Sequence, residues 1–115
     1  MLKGLPSHIP IPEDLYRPGV VAFLVTGVGL EPEIPGASFA LVDTQDRRLS
    51  EGAIYVLDAA GEKHIRRAVR REGEWIFQLD DESDPSPLFL KDQVEIIGRV
   101  IAVAYGIALR GRGEA

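Results

Sequence analysis

Residues able to do chemistry are few in this chain, and most sit where ordinary structure also explains them. There is no cysteine, so thiolate metal sites, disulfides and cysteine catalysis are excluded. The two histidines, His8 and His64, stand far apart and give no metal-ligand spacing; His64 reads as a half-exposed strand residue. Asp80, Asp81, Glu82 and Asp84 crowd one proline-broken stretch that would suit a cation, but Asp-Pro and Ser-Pro steps mark a solvated loop. Ser38, Ser50, Ser83 and Ser86 have no histidine or lysine at an informative spacing and read as strand or turn serines. Arg66, Arg67, Arg70 and Arg71 form the densest basic cluster. A strand would split them between two faces, where pairing with carboxylates is expected and an acidic or phosphate partner stays open. What remains is Gly27 to Pro35, a strand followed by a tight turn and loop, a layout that can display a nucleophile at its bend.

That stretch, Gly27-Val28-Gly29-Leu30-Glu31-Pro32-Glu33-Ile34-Pro35, resembles the nucleophile loop of the LexA/UmuD-like self-cleaving peptidases, which carry Gly-Asp-Ser-Met-Glu-Pro there. Gly27, Glu31, Pro32, Ile34 and Pro35 match. The later segments Ala40 to Thr44, Asp46 to Leu49, Gly52 to Leu57 and Asp92 to Val100 are similar in order and spacing. So are Ile11 to Leu15 and Arg17 to Gly19 upstream, and the likeness runs from about Pro10 to Tyr105. It implies a mostly-β, LexA/signal-peptidase-like strand domain with little helix over residues 10–107, an extended arm at 1–9 and a tail at 108–115.

The resemblance also implies a serine–lysine dyad, in which a lysine deprotonated by burial takes the serine's proton. Here the serine position is Gly29 and the lysine position is Arg66. Glycine has no hydroxyl, and arginine keeps its proton in proteins. Lys63 lies an odd number of residues from Arg66, hence on the other face of a strand. Val28 replaces the family's acidic neighbour, and the upstream X-Gly bonds, Lys3-Gly4 and Pro18-Gly19, match its small-residue-Gly cleavage bond poorly. Loss of a nucleophile alone costs on the order of a million-fold in rate. The expectation is therefore a pseudo-peptidase whose former cleft (Val28, Gly29, Leu30, Glu31 and Arg66) binds peptide by main-chain pairing. The alternative is an active serine peptidase performing self-cleavage in SOS-type regulation; a regulator reaching DNA only through a partner is a third reading. No cofactor or metal is expected. A homodimer is expected through the apolar C-terminal segment, with Val94, Ile96, Ile101 and Val103 at the interface. Other expected partners are a full-length LexA-like repressor or a repair or polymerase component, since the domain leaves no room for a helix-turn-helix region.

Composition bounds the rest. The 115 residues suffice for one domain that buries roughly two-thirds of the surface its unfolded chain exposes. A net charge of −5 disfavours direct nucleic-acid binding. The longest apolar run, Val20 to Leu30, is too short to span a bilayer, and no basic segment precedes it as in a signal peptide. A cytoplasmic protein is expected. Prolines at 6, 10, 12 and 18 predict an extended N-terminal arm with one turn near Glu13 to Tyr16. Val20 to Thr26, apolar on both faces, predicts a central buried strand. Strands are predicted at Ser38 to Val42 and Ala53 to Leu57. A turn at Ala59 to Glu62 then leads into a strand from Lys63 to Arg70, and Glu72-Gly73 makes a hairpin into Trp75 to Leu79, with Trp75 and Phe77 in the core. Val94 to Ile107 reads as a strand pair or one curved strand, and Arg110 to Ala115 as a tail.

Overall fold

Ile54-Tyr55-Val56-Leu57 is buried at every position, as a strand covered on both faces must be. In the computed structural model, which describes residues 2–4, 18–25, 30, 34 and 38–104, it opens β4 (Ile54–Ala59). The other strands are β1 (Leu2–Gly4), β2 (Val20–Val25), β3 (Phe39–Asp43), β5 (Glu62–Arg71), β6 (Glu74–Gln78), β7 (Phe89–Leu90) and β8 (Glu95–Ala104). They form one antiparallel sheet in the order β1-β2-β3-β8-β4-β5-β6-β7. A single 3-10 turn, Lys91–Gln93, precedes β8. The mostly-β expectation holds. No helix among the described residues is long and apolar enough to cross a membrane.

Alternation along β4 sends its side chains into two cores. Ile54 and Val56 join Phe23, Val25, Leu30, Ile34, Ala40, Val42 and Ile65 on one face. Tyr55 and Leu57 join Ala68 and Phe77 on the other, where the Tyr55 and Phe77 rings meet edge-to-face at 6.3 Å. Tyr55 is buried with its polar end satisfied: its hydroxyl donates to the Arg48 carbonyl (2.7 Å) and accepts from the Ser50 amide (2.8 Å). That pair of bonds holds the loop between β3 and β4 in place.

Both predicted hairpins form, for the reason the sequence suggested. Ala60 and Gly61 take φ of 53° and 89°, and Glu72 and Gly73 take 52° and 82°, the paired positive values that a two-residue turn needs to follow strand twist. Asp58 reinforces the first turn, accepting from the Gly61 amide (2.8 Å) and from the Lys63 ammonium (2.7 Å).

Three expectations need correction or sharpening. The predicted strand at Val20 is present as β2, but it lies next to the edge strand β1 rather than at the centre, and Val21 is 42% exposed. β4 takes the central role instead, because long-range pairing decides position and apolar runs of similar length look alike. Leu2–Gly4, read as part of an extended arm, pairs with β2 (Leu2 opposite Val25), so the sheet begins inside that arm. Val94 onward resolves into one strand, β8, hydrogen-bonded to β3 on one side and β4 on the other. Register shifts at Leu41/Val42 and at Val56/Leu57 accompany it, as local bulges that bend a strand do. Gly98 permits its close approach to β3: a Cβ there would stand 2.5 Å from the Asp43 carbonyl oxygen. The described segment ends at Ala104, and the predicted tail lies outside the described residues, as do Thr26 and the turn near Glu13.

Candidate functional site

Antiparallel partners share a sheet face, so Arg66, opposite Tyr55, stands on the face of Tyr55 and Phe77. Ile65, opposite Val56, stands on the other. β1 comes alongside β5 as well as β2, so the sheet curls and brings Val25 towards β5. Between them lies a cavity of about 300 Å³. Val25, Leu30 and Ile34 form one wall, His64, Ile65 and Arg66 another, and Leu79, Asp84, Ser86 and Pro87 the third. Leu30 and Ile34 are both buried beside the cavity, and the Ile34 amide donates to the Leu30 carbonyl (2.9 Å).

Arg66 is only 4% exposed. Its Nη1 donates to the Ile65 carbonyl (2.9 Å), and the guanidinium lies 5.4 Å from the centre of the Phe89 ring. Its Nε is buried and finds no acceptor among the described residues. Burial pulls the Arg66 pKa below its ordinary value, while the charge of Asp84 works the other way. The group remains a cation, since arginine does not lose its proton in proteins. Asp84 is occupied elsewhere: its carboxylate accepts from the Ser86 amide (2.8 Å). The Ser86 hydroxyl and amide hold the Asp84 carboxyl below the usual range, with a smaller contribution from Arg66. His64, whose ring lies 5.0 Å from Phe89, is pushed below its ordinary pKa by burial first and by Arg66 second, with Glu62 opposing.

Leu30 and Arg66 line one cavity. Val28, Gly29 and Glu31 lie outside the described residues. Lys63 is turned away from Arg66, as strand alternation predicted, and pairs with Asp58 at 2.7 Å. The arginines divide between faces: Arg67 grips Asp80 through Nε and Nη2 (2.8 and 2.9 Å), and Arg70 stacks 5.1 Å over Trp75. The acidic loop does more than sit in solvent, because Asp84, Ser86 and Pro87 wall the cavity. Sequence reasoning missed that wall and missed β7, which places Phe89 under Arg66. The one available signal was Leu88-Phe89-Leu90, an apolar triplet emerging from a proline-broken loop.

At the proposed dimer surface, Val94 and Ile96 pack on the Tyr55 core and Val103 on the Val56 core, while Ile101 borders a shallower hollow with Val100 and Ile34. β8 pairs with β4 through Glu95 to Arg99 and with β3 through Arg99 to Ala104, so beyond Arg99 one edge of the strand carries no ladder partner among the described residues.

Residues 2–101 match the Peptidase S24-like family. The chain belongs to that family. The LexA/UmuD-like resemblance is thereby established, and the β architecture agrees with it. This S24-like domain is also 32% identical over 89 residues to the repressor protein CI of Enterobacteria phage phi80. That alignment covers 71% of this chain and 35% of the phage protein, so the chain spans about a third of the length of the relative it matches.

Proposed function

We propose that this S24-like domain is a regulatory interaction module that has lost the family's peptidase chemistry. The observation that carries this reading is Arg66. At the position where the resemblance puts the dyad's lysine stands a buried guanidinium, a group that stays protonated and cannot act as a base. The sequence adds the absent hydroxyl at Gly29. The cavity beside Arg66 persists without the dyad and is the place for an extended segment of a partner. A role in transcription regulation, including SOS-type responses, rests on the family and on the phage repressor relative. In that role the module pairs with a second copy through β8 around Ile101, or with a longer repressor-like protein.

A serine-directed fluorophosphonate probe tests the loss of chemistry. The chain is expected to stay unlabelled at Ser38, Ser50, Ser83 and Ser86 while an active family member reacts. Stoichiometric labelling of any serine would revive the peptidase reading.

A further inference from the structure

We propose that the Arg66 cavity is a receptor for a carboxylate presented by an extended peptide, with the guanidinium as its anchor. This deepens the interaction reading above by naming the chemistry of the partner. Nearly every buried polar group in a folded protein has a hydrogen-bond partner, and an exception asks for an explanation. Arg66 Nε is the buried side-chain donor without an acceptor among the described residues. It sits on a cation that is 96% buried, being 4% exposed, and that cation lines a cavity of about 300 Å³. The space is large enough for a side chain.

Arg66 is not simply half of an ion pair whose partner is nearby. Among the described residues Asp84 is the acidic one on the cavity wall, and its carboxylate is committed to its own turn through Ser86. The two influence each other through their fields, yet no bond joins them among the described residues. What Arg66 does hold, the Ile65 carbonyl and the Phe89 ring, fixes the guanidinium in place while leaving the Nε edge unused. A carboxylate is the acceptor a guanidinium prefers, because its two oxygens match the donor fork and the bond is charge-assisted. A peptide suits the site better than a free anion, because the walls are largely apolar: Val25, Leu30, Ile34, Ile65, Leu79 and Pro87 can cover the residues flanking the acid. His64 stands beside Arg66 and is held towards its neutral form, so it adds no competing cation near neutral pH.

The test is an NMR titration of the full chain, following the Arg66 side-chain Nε–H and the amides of Ile65 to Arg67. Four probes are compared: acetyl-Leu-Glu-Leu-amide, acetyl-Leu-Gln-Leu-amide, acetyl-Leu-Leu with a free C-terminal carboxylate, and acetate. The Glu peptide is expected to shift the Arg66 Nε–H and to bind about tenfold or more tightly than the Gln peptide, the usual worth of a hydrogen bond to a charged group. Binding by the chain-end carboxylate would support the same chemistry and identify the chain end as a source. Arg66→Met is expected to abolish the Glu-over-Gln preference, and Asp84→Asn to strengthen Glu-peptide binding by about twofold to fivefold as a weak repulsion is removed. Equal binding of the Glu and Gln peptides, no binding of either, or a preference that survives Arg66→Met would overturn the proposal. Acetate binding as tightly as the peptides would overturn the peptide part. Should Arg66→Met not fold, the wild-type Glu/Gln comparison and Asp84→Asn decide alone. An unlabelled chain that binds no acidic peptide would sink this inference and leave the non-catalytic reading standing.

Discussion

Arg66 and Arg67 are neighbours in sequence, sit on opposite faces of one strand and are used in opposite ways. Arg67 reaches outward, forks onto Asp80 and donates to the Gly52 carbonyl at 2.6 Å, clasping the end of β6 and the turn before β4 to β5. Arg66 is turned inward, is more deeply buried than its neighbour, and holds one backbone carbonyl and a ring face. A satisfied arginine at a rim is structure. A buried arginine with a spare donor beside a cavity is a cost to the fold, and such costs collect where a protein binds or reacts.

The sharpest break in this comparison is expected from the outer clasp. Arg67→Ala should destabilise the domain by about 1–2 kcal/mol, the value of charge-assisted bonds discounted for partial exposure. Asp80→Ala should cost a similar amount, and the double variant little more than either single one, read by urea denaturation. Equal additive losses would show that the fork contributes nothing as a pair.

The inward arginine should behave with the opposite sign. Arg66→Met replaces a poorly partnered buried cation by an apolar chain of similar reach, and is expected to raise stability by about 1 kcal/mol. A loss as large as that of Arg67→Ala would mean that Arg66 is structural, erasing the contrast.

The smallest effect is in pH. His64 has a folded pKa below its ordinary value of 6.5, from burial first and from Arg66 second. On acidification the unfolded chain therefore takes up this proton before the folded one. The contribution of His64 is complete above the unfolded value and is lost as pH falls through the lower folded value. Further loss is expected below the ordinary carboxylate range. There Asp58, held low by Lys63 and the Gly61 amide, and Asp84, held low by Ser86, become protonated. Arg66→Met should move the His64 titration, followed by NMR, back towards 6.5, since it removes a neighbouring cation. Arg67→Ala should leave it in place.

Much of the fold was legible because its signals are local. Ala60-Gly61 and Glu72-Gly73 announce their turns through the positive φ that the following glycine accepts. The alternation of Trp75 and Phe77 marks one face, and both do pack on the same core. Position within the sheet was not legible. β2 and β4 are both apolar runs, and only pairing with distant strands puts β4 at the centre and β2 near an edge. The bulges that let β8 serve both cores have no local signature beyond Gly98. In the site, the position of Arg66 came from resemblance, and strand parity correctly turned Lys63 away from it. The third wall was invisible, because nothing in Asp84-Pro85-Ser86-Pro87 says which face of a sheet a loop will cover.

The proposed loss of peptidase chemistry rests on Arg66 as a fixed cation at the position where the resemblance puts the base, with no hydroxyl at Gly29 to activate. Its most direct test is the intact mass of the purified chain after prolonged incubation at about pH 10, where an ordinary lysine is substantially deprotonated. A single species at full mass is expected, with an active family member cut under the same conditions. A discrete fragment that appears at a rate independent of protein concentration, with no added protease, would contradict the account.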